Sequence, residues 1–226
     1  MEKNIKNTDP NDITVALVDD HILLRNALAT LIDGFENCRV IWQASNAHEM
    51  IQRIRYTVPP QVIILDLNMP VMDGHSGAMW LKENIPQCLV LMLTMYDSDL
   101  ALIRLLQAGV RGFLKKDIHP SELKFAIRSV TQSGYYYSHQ TSGKLANLFR
   151  NYNGSNSSLQ RSLLNEQEIE FLRLCGTEYT YKEIAQSLHL NPRAVDNLRD
   201  HLFEKLEVKS RVGLAMYAMR HGIVSL

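Results

Sequence analysis

Residues 62–74 read VIILDLNMPVMDG. Four branched apolar residues describe a strand buried on both faces, which then delivers a carboxylate, Asp66, into a loop marked by Pro70 and Gly74. A carboxylate is costly to bury without a partner, so something must receive it at the strand end. The same pattern recurs on either side. ITVALV (13–18), RVIWQA (39–44), LVLML (89–93) and GFLK (112–115) are further strand-sized apolar runs. Amphipathic segments near 22–32, 46–56, 76–84, 98–108 and 120–132 separate them. Strands alternating with helices of this length predict βαβ units and a parallel sheet. Right-handed crossovers then place helices on both faces, which accounts for strands that are apolar throughout. Residues 12–133 are therefore expected to form an α/β, doubly wound, five-stranded parallel sheet.

Open parallel sheets bind ligands at the carboxyl edge. The predicted strands end there in Asp19 and Asp20, in Asp66, in Thr94, and in Lys115 or Lys116. Any one of these acids could simply cap the next helix or turn. As a set they place three carboxylates, a hydroxyl and an ammonium on one edge. Three neighbouring carboxylates raise each other's pKa values, and a hard cation such as Mg²⁺ relieves the conflict while keeping several waters. A carboxylate beside a cation, a Lys and a hydroxyl suits phosphoryl transfer, with the carboxylate attacking phosphorus.

The acid pair after strand one, DLNMPVMDG, LTMYD and GFLKKD together resemble the receiver domain of two-component response regulators, in order over residues 13–132. The resemblance implies a flavodoxin-like sheet in which Asp66 accepts phosphate from a phosphohistidine on a sensor histidine kinase. It implies Mg²⁺ ligation by Asp20, Asp66 and the Asn68 backbone carbonyl, with Asp19 acting directly or through water. Thr94 would receive a phosphoryl oxygen and Lys116 would pair with it; the family's lysine stands three residues after the strand-five aromatic, here Phe113. Phe113 would swing inward as Thr94 moves. Asp117 follows the lysine where many relatives have Pro, so no cis-proline is expected at that bond.

Residues 134–162 are expected to hold a short helix, GKLANLFRN, and a flexible linker, YNGSNSSLQRS, with almost nothing to bury. Residues 163–226 read as helical throughout. NEQE (165–168) and TYKE (180–183) fit capping boxes, and Asn191-Pro192 is a good helix start. The helices predicted are about 166–176, 181–187, 192–206 and 210–221, with the middle pair forming a helix-turn-helix. The stretch from LNEQEIEFLRL to KLEVKSRVGL resembles the LuxR-type domain of NarL/FixJ regulators. Receiver plus this all-α domain is the architecture of a phosphorylation-controlled transcription factor.

On the recognition helix, Val195, Leu198, Leu202 and Leu206 form the apolar stripe. Arg193, Asn197, Asp200 and Glu204 lie opposite, flanked by Asp196 and His201. Asn197 suits adenine, an Asp suits cytosine and Arg193 suits guanine or fixes the register. Lys182, Arg199, Lys205, Lys209 and Arg211 are the candidate phosphate contacts around the groove. Acids stand at 196 and 200 where relatives often have Lys, and Asp196 paired to Arg193 or Arg199 would describe a merely solvated face. Val212, Met216 and Met219 suit a dimer face or the core equally.

The 24 Lys and Arg balance the 24 Asp and Glu, so net charge points to no partner class. No apolar run reaches the length of a membrane span, and the polar start is not a signal peptide. Cys38, Cys88 and Cys175 lack metal spacing and read as small buried hydrophobes in a reducing cytoplasm. The expectation is a cytoplasmic, non-enzymatic response regulator that binds promoter DNA, dimerises on phosphorylation and can meet RNA polymerase. Its rivals are a phosphorylation-controlled protein-interaction module that reads no bases, and a metal-dependent phosphatase. The phosphatase is disfavoured because Asn68 stands where a second acid would serve.

Overall fold

The computed structural model describes residues 12–94, 99–152, 164–221 and 223–224. They fall into two compact units, treated separately below.

In the first unit, β1 (Ile13–Val18), β2 (Cys38–Ala44), β3 (Val62–Asp66), β4 (Leu89–Thr94) and β5 (Gly112–Lys115) form one sheet in the order β2-β1-β3-β4-β5, parallel throughout. They alternate with α1 (Ile22–Asp33), α2 (Ala47–Tyr56), α3 (Gly74–Asn84), α4 (Asp99–Gln107) and α5 (Pro120–Ser133). Central β3 is buried at every position, as its run of branched residues requires. Edge strand β2 departs from the expectation: it buries only Cys38, Trp42 and Ala44, and its register against β1 shifts once. An edge strand has one neighbour fewer, so Arg39 and Gln43 stay partly solvated. On one face, Val15, Leu17, Ile64, Leu91 and Leu93 pack against Ile32 of α1 and Leu123, Ile127 and Val130 of α5.

The register places the site. Val18 pairs with Leu65, so Asp19 and Asp66, each one residue further, leave the sheet side by side. Thr94 pairs with Lys115, which brings Lys116 to the same edge. After α5, the Tyr136 N–H donates to the Arg111 carbonyl at 2.8 Å, and Tyr136 bridges Gly112 at the start of β5. A Cβ on Gly112 would stand 2.5 Å from the Tyr136 carbonyl oxygen, so this edge closes only over glycine. The helix predicted within 143–151 is longer, α6 (His139–Tyr152), while residues 153–162 of the predicted linker lie outside the described residues.

The second unit contains α7 (Glu166–Cys175), α8 (Tyr181–Ser187), α9 (Pro192–Lys205) and α10 (Arg211–Arg220). Both predicted capping boxes are formed, Asn165 with Glu168 and Thr180 with Glu183. Asn191 caps α9 ahead of Pro192, and Ser210 caps α10. Each cap satisfies donors that a helix start leaves without partners. Phe171, Leu172, Ile184, Ala185, Val195, Leu202, Leu214 and Ala218 make the core, with Leu198 and Leu206 packed on it. The predicted inward stripe of α9 is therefore the stripe observed.

Candidate functional site

Asp19 and Asp66 are each 2 % exposed at the carboxyl edge of the sheet. Lys116 crosses to them. Its Nζ donates to Asp66 Oδ2 at 2.8 Å and stands 3.2 Å from Asp19 Oδ2. Lys115 is exposed, so alternation along β5 separates the two lysines as expected. The Asn68 backbone N–H also donates to Asp66. Burial pushes the Asp66 carboxyl up to about 6; Lys116 opposes that rise, and the Asp19 charge adds to it. For Lys116, burial disfavours the charge, but Asp66 and Asp19 outweigh it and hold the ammonium above its ordinary value.

Two residues of this pocket escaped the sequence reading. His21 Nδ1 lies 3.0 Å from both Asp19 Oδ1 and Asp20 Oδ1, and its backbone N–H donates to Asp19 Oδ1 at 2.7 Å. The Arg25 guanidinium donates to the Asp19 backbone carbonyl and, at 3.3 Å, to Gln43 Oε1. The only advance signal for His21 was its place directly after an acid pair. Ligand atoms of Asp19, Asp20, His21 and Asp66 all lie within 4.8 Å of one another. Asp20 Oδ1 is buried with only its 3.0 Å contact to His21 Nδ1, and Asp19 Oδ2 has only its ion pair with Lys116. Buried carboxylate oxygens left in this condition fit a hard divalent cation, with the three acids supplying oxygen.

The β3–α3 loop is shaped around Asp66. Asp73 caps α3 by accepting from the Ser76 N–H at 2.8 Å, and the Gly74 N–H donates to the Leu67 carbonyl at 2.9 Å. A Cβ on Gly74 would lie 2.1 Å from the Asp66 carbonyl oxygen, so no other residue fits there. Val71 holds φ at +71°, and the Met72 N–H closes a three-residue turn onto the Pro70 carbonyl at 2.8 Å. Thr94 is buried at the end of β4. Phe113 is already buried, stacked on Tyr137 with ring centroids 6.0 Å apart, and Tyr137 stacks on Tyr135 at 5.8 Å. Tyr96 and Asp97 of the LTMYD motif lie outside the described residues. No peptide bond among the described residues is cis, including the one before Asp117.

In the second unit, α9 exposes Arg193, Asp196, Asn197, Asp200, His201 and Glu204. The candidate cations divide into two groups. Lys182, Arg193 and Lys209 are exposed and make no hydrogen bond or ion pair among the described residues. Arg199, Lys205 and Arg211, also expected at phosphate, are each engaged within the unit. Lys205 Nζ donates to both oxygens of buried Glu168, at 2.8 and 2.7 Å, and His201 Nε2 lies 3.2 Å from the same carboxylate. Arg211 donates to the Cys175 and Thr177 carbonyls, at 3.2 and 2.7 Å. Arg199 is paired with Asp196 and Asp200. On α10, Val212 is 71 % and Met216 54 % exposed, so core packing does not account for either.

The chain matches the family model "Response regulator receiver domain" over residues 15–128 and the model "Bacterial regulatory proteins, luxR family" over 162–218. It belongs to the two-component response regulators, with a LuxR-family C-terminal domain. Among its relatives, the response regulator GacA of Pseudomonas viridiflava is 31 % identical over 212 residues, covering 94 % of this chain and 98 % of GacA. The oxygen regulatory protein NreC of Staphylococcus epidermidis is 30 % identical over 217 residues, covering 93 % and 98 %. The crystal structure of ChrA, a response regulator of a heme-sensing two-component system, is 26 % identical with a TM-score of 0.50, covering 95 % of this chain and all of that one. RcsB of Salmonella enterica serovar Typhimurium, solved on the rprA promoter with phosphomimetic BeF3⁻, aligns with a TM-score of 0.67 at 22 % identity, covering 92 % and 98 %, and shares the fold.

Proposed function

We propose that Asp66 is the phosphoacceptor of this response regulator and that its phosphorylation controls binding of the C-terminal domain to promoter DNA. The observation that carries this reading is the Lys116–Asp66 contact of 2.8 Å, set against three converging acids at one sheet edge. A carboxylate oxygen of Asp66 attacks the phosphorus of a phosphohistidine on a sensor histidine kinase. The P–N bond breaks, and the kinase imidazole leaves with the bonding pair and takes a proton. Asp19, Asp20, Asp66 and the Asn68 carbonyl are the residues to hold Mg²⁺, which when bound offsets charge on the phosphoryl oxygens. Lys116 exchanges its bond to Asp66 for one to a phosphoryl oxygen, Thr94 donates its hydroxyl to another, and Phe113 follows Thr94. These contacts exist only in the phosphorylated state, so they shift a conformational population rather than push it.

The shifted state dimerises, and exposed Val212 and Met216 suit a self-association face. No helix among the described residues is long and apolar enough to cross a membrane. The same proposal makes the chain a cytoplasmic, non-enzymatic regulator whose DNA-bound form meets RNA polymerase. The direct test is intact-mass measurement after treatment with acetyl phosphate and Mg²⁺. One base-labile phosphoryl adduct is expected on the native chain and none on Asp66→Asn. An adduct that persists in Asp66→Asn removes the assignment.

The acid-bearing surface of α9 favours a second reading, a phosphorylation-controlled protein-interaction module that reads no bases. Affinity for duplex DNA that falls steeply with salt supports the first reading, because cations are released from the duplex on binding. Failure to bind any duplex at low salt supports the second.

A further inference from the structure

Arg199 is fixed from three sides. Its Nη1 lies 2.9 Å from Asp196 Oδ1, and its Nε and Nη2 lie 2.9 and 2.8 Å from Asp200 Oδ1. Its guanidinium carbon stands 5.3 Å from the centroid of the Tyr181 ring, which itself lies parallel to Phe171 at 6.2 Å. The stack ties the fork to the buried core of the unit, since Phe171 is fully enclosed. Each aspartate thereby commits one oxygen to Arg199, while both carboxylates remain well exposed on α9.

We infer that Arg199 is a positioning residue, and that the Asp196–Asp200 pair it holds is the specificity determinant of the DNA contact. The inference rests on the reading that α9 enters the major groove. A fixed carboxylate accepts hydrogen bonds and cannot donate, so it selects base edges that offer an amino group, cytosine N4 foremost. Where that amino group is missing, the carboxylate is desolvated beside the phosphate backbone with no donor, and binding is penalised. A lysine at either position would instead add attraction to any phosphate backbone and, at a base edge, favour the guanine acceptors. The other engaged cations act in the same direction. With Lys205 and Arg211 bound inside the unit, Lys182, Arg193 and Lys209 remain for phosphate. Three phosphate contacts per chain give a salt slope of about −2.7, and about −5.4 for a dimer, at −0.9 per contact. Six contacts per chain would double both. The surface is thus built for low indiscriminate affinity and high dependence on the right bases.

The test uses the full chain, a duplex selected from a random pool, and a scrambled duplex of equal length. Each is titrated over a range of salt by fluorescence anisotropy. Replacing both acids (Asp196→Asn with Asp200→Asn) is expected to raise affinity for the scrambled duplex about tenfold or more. The selected duplex should gain less, so the ratio between them collapses. Arg199→Gln is expected to lower the ratio while leaving the salt slope within about half a unit of native; Lys182→Gln lowers the slope by about one. Arg199→Lys keeps the charge but lacks the fork, so it should behave like Arg199→Gln. A slope that falls by about one in Arg199→Gln makes Arg199 a phosphate contact and overturns the inference. So does an unchanged ratio in the double variant; in both cases DNA binding itself stands. A native chain that selects no duplex ends both the inference and the reading beneath it.

Discussion

The ammonium of Lys116 meets one carboxylate oxygen of Asp66 across 2.8 Å, although fifty positions separate them in the chain. Under the function proposed above, Lys116 would release that contact to a phosphoryl group on Asp66. The contact's partial compensation of a buried acid leads to the first prediction.

Asp66 ionises at about 6 in the folded chain, against 3.8 as its ordinary value, chiefly because it is buried. Its folded pKa is raised, so below about pH 3.8 the acid is protonated in both states and costs nothing. As pH rises through 3.8 to about 6, the unfolded chain ionises first and folding is penalised, by on the order of 3 kcal/mol above that window. Without divalent metal, Asp66→Asn should therefore melt higher than native at pH 7.5, and the difference should vanish near pH 4. Mg²⁺ should raise the melting temperature of the native chain far more than that of the variant. Equal melting of the two at pH 7.5 would refute the penalty.

The loop after β3 makes two predictions of opposite sign within one turn of chain. Gly74→Ala places a Cβ on the Asp66 carbonyl, so it should destabilise by about 3 kcal/mol and reduce phosphorylation. Val71 is β-branched, solvent-exposed and held at φ +71°, a strain of roughly 1–3 kcal/mol. Val71→Gly should relieve part of it and raise urea resistance by about 1 kcal/mol, because a valine this exposed buries little apolar surface to forfeit. Chemical denaturation of the two variants checks both signs.

Glu168 is buried, accepts the Asn165 N–H in the capping box of α7 and is bound by Lys205. Removing Lys205 leaves the buried carboxylate with only the Asn165 N–H and the His201 ring, a loss of up to roughly 3–5 kcal/mol. Lys205→Met should therefore unfold the C-terminal unit at much lower denaturant, whereas a residue used only for phosphate contact would leave the midpoint unchanged.

Burial raises the thiols of Cys38, Cys88 and Cys175, the latter two to about 11. Thiolate, the reactive form, is then scarce near neutrality. Labelling with a thiol reagent at pH 7.5 should be negligible in the native chain and complete at all three cysteines after unfolding.

Much of this was legible in the linear chain, for a common reason. Strand and helix positions follow from period-2, period-3.6 and fully apolar runs, and the caps at Asn165, Thr180 and Asn191 from hydrogen bonds spanning three residues. The convergence of Asp19, Asp66 and Lys116 followed because parallel strands bring their carboxyl ends to one edge. Tertiary structure alone decided what depends on neighbours far apart in sequence or on the local backbone path. The 37-residue reach that takes Lys205 away from the surface to Glu168, the stacking of Tyr181 beneath Arg199 and the strained turn at Val71 are of this kind. A charge shows its type in the sequence, but its availability is set by the partner that folding places within hydrogen-bonding distance.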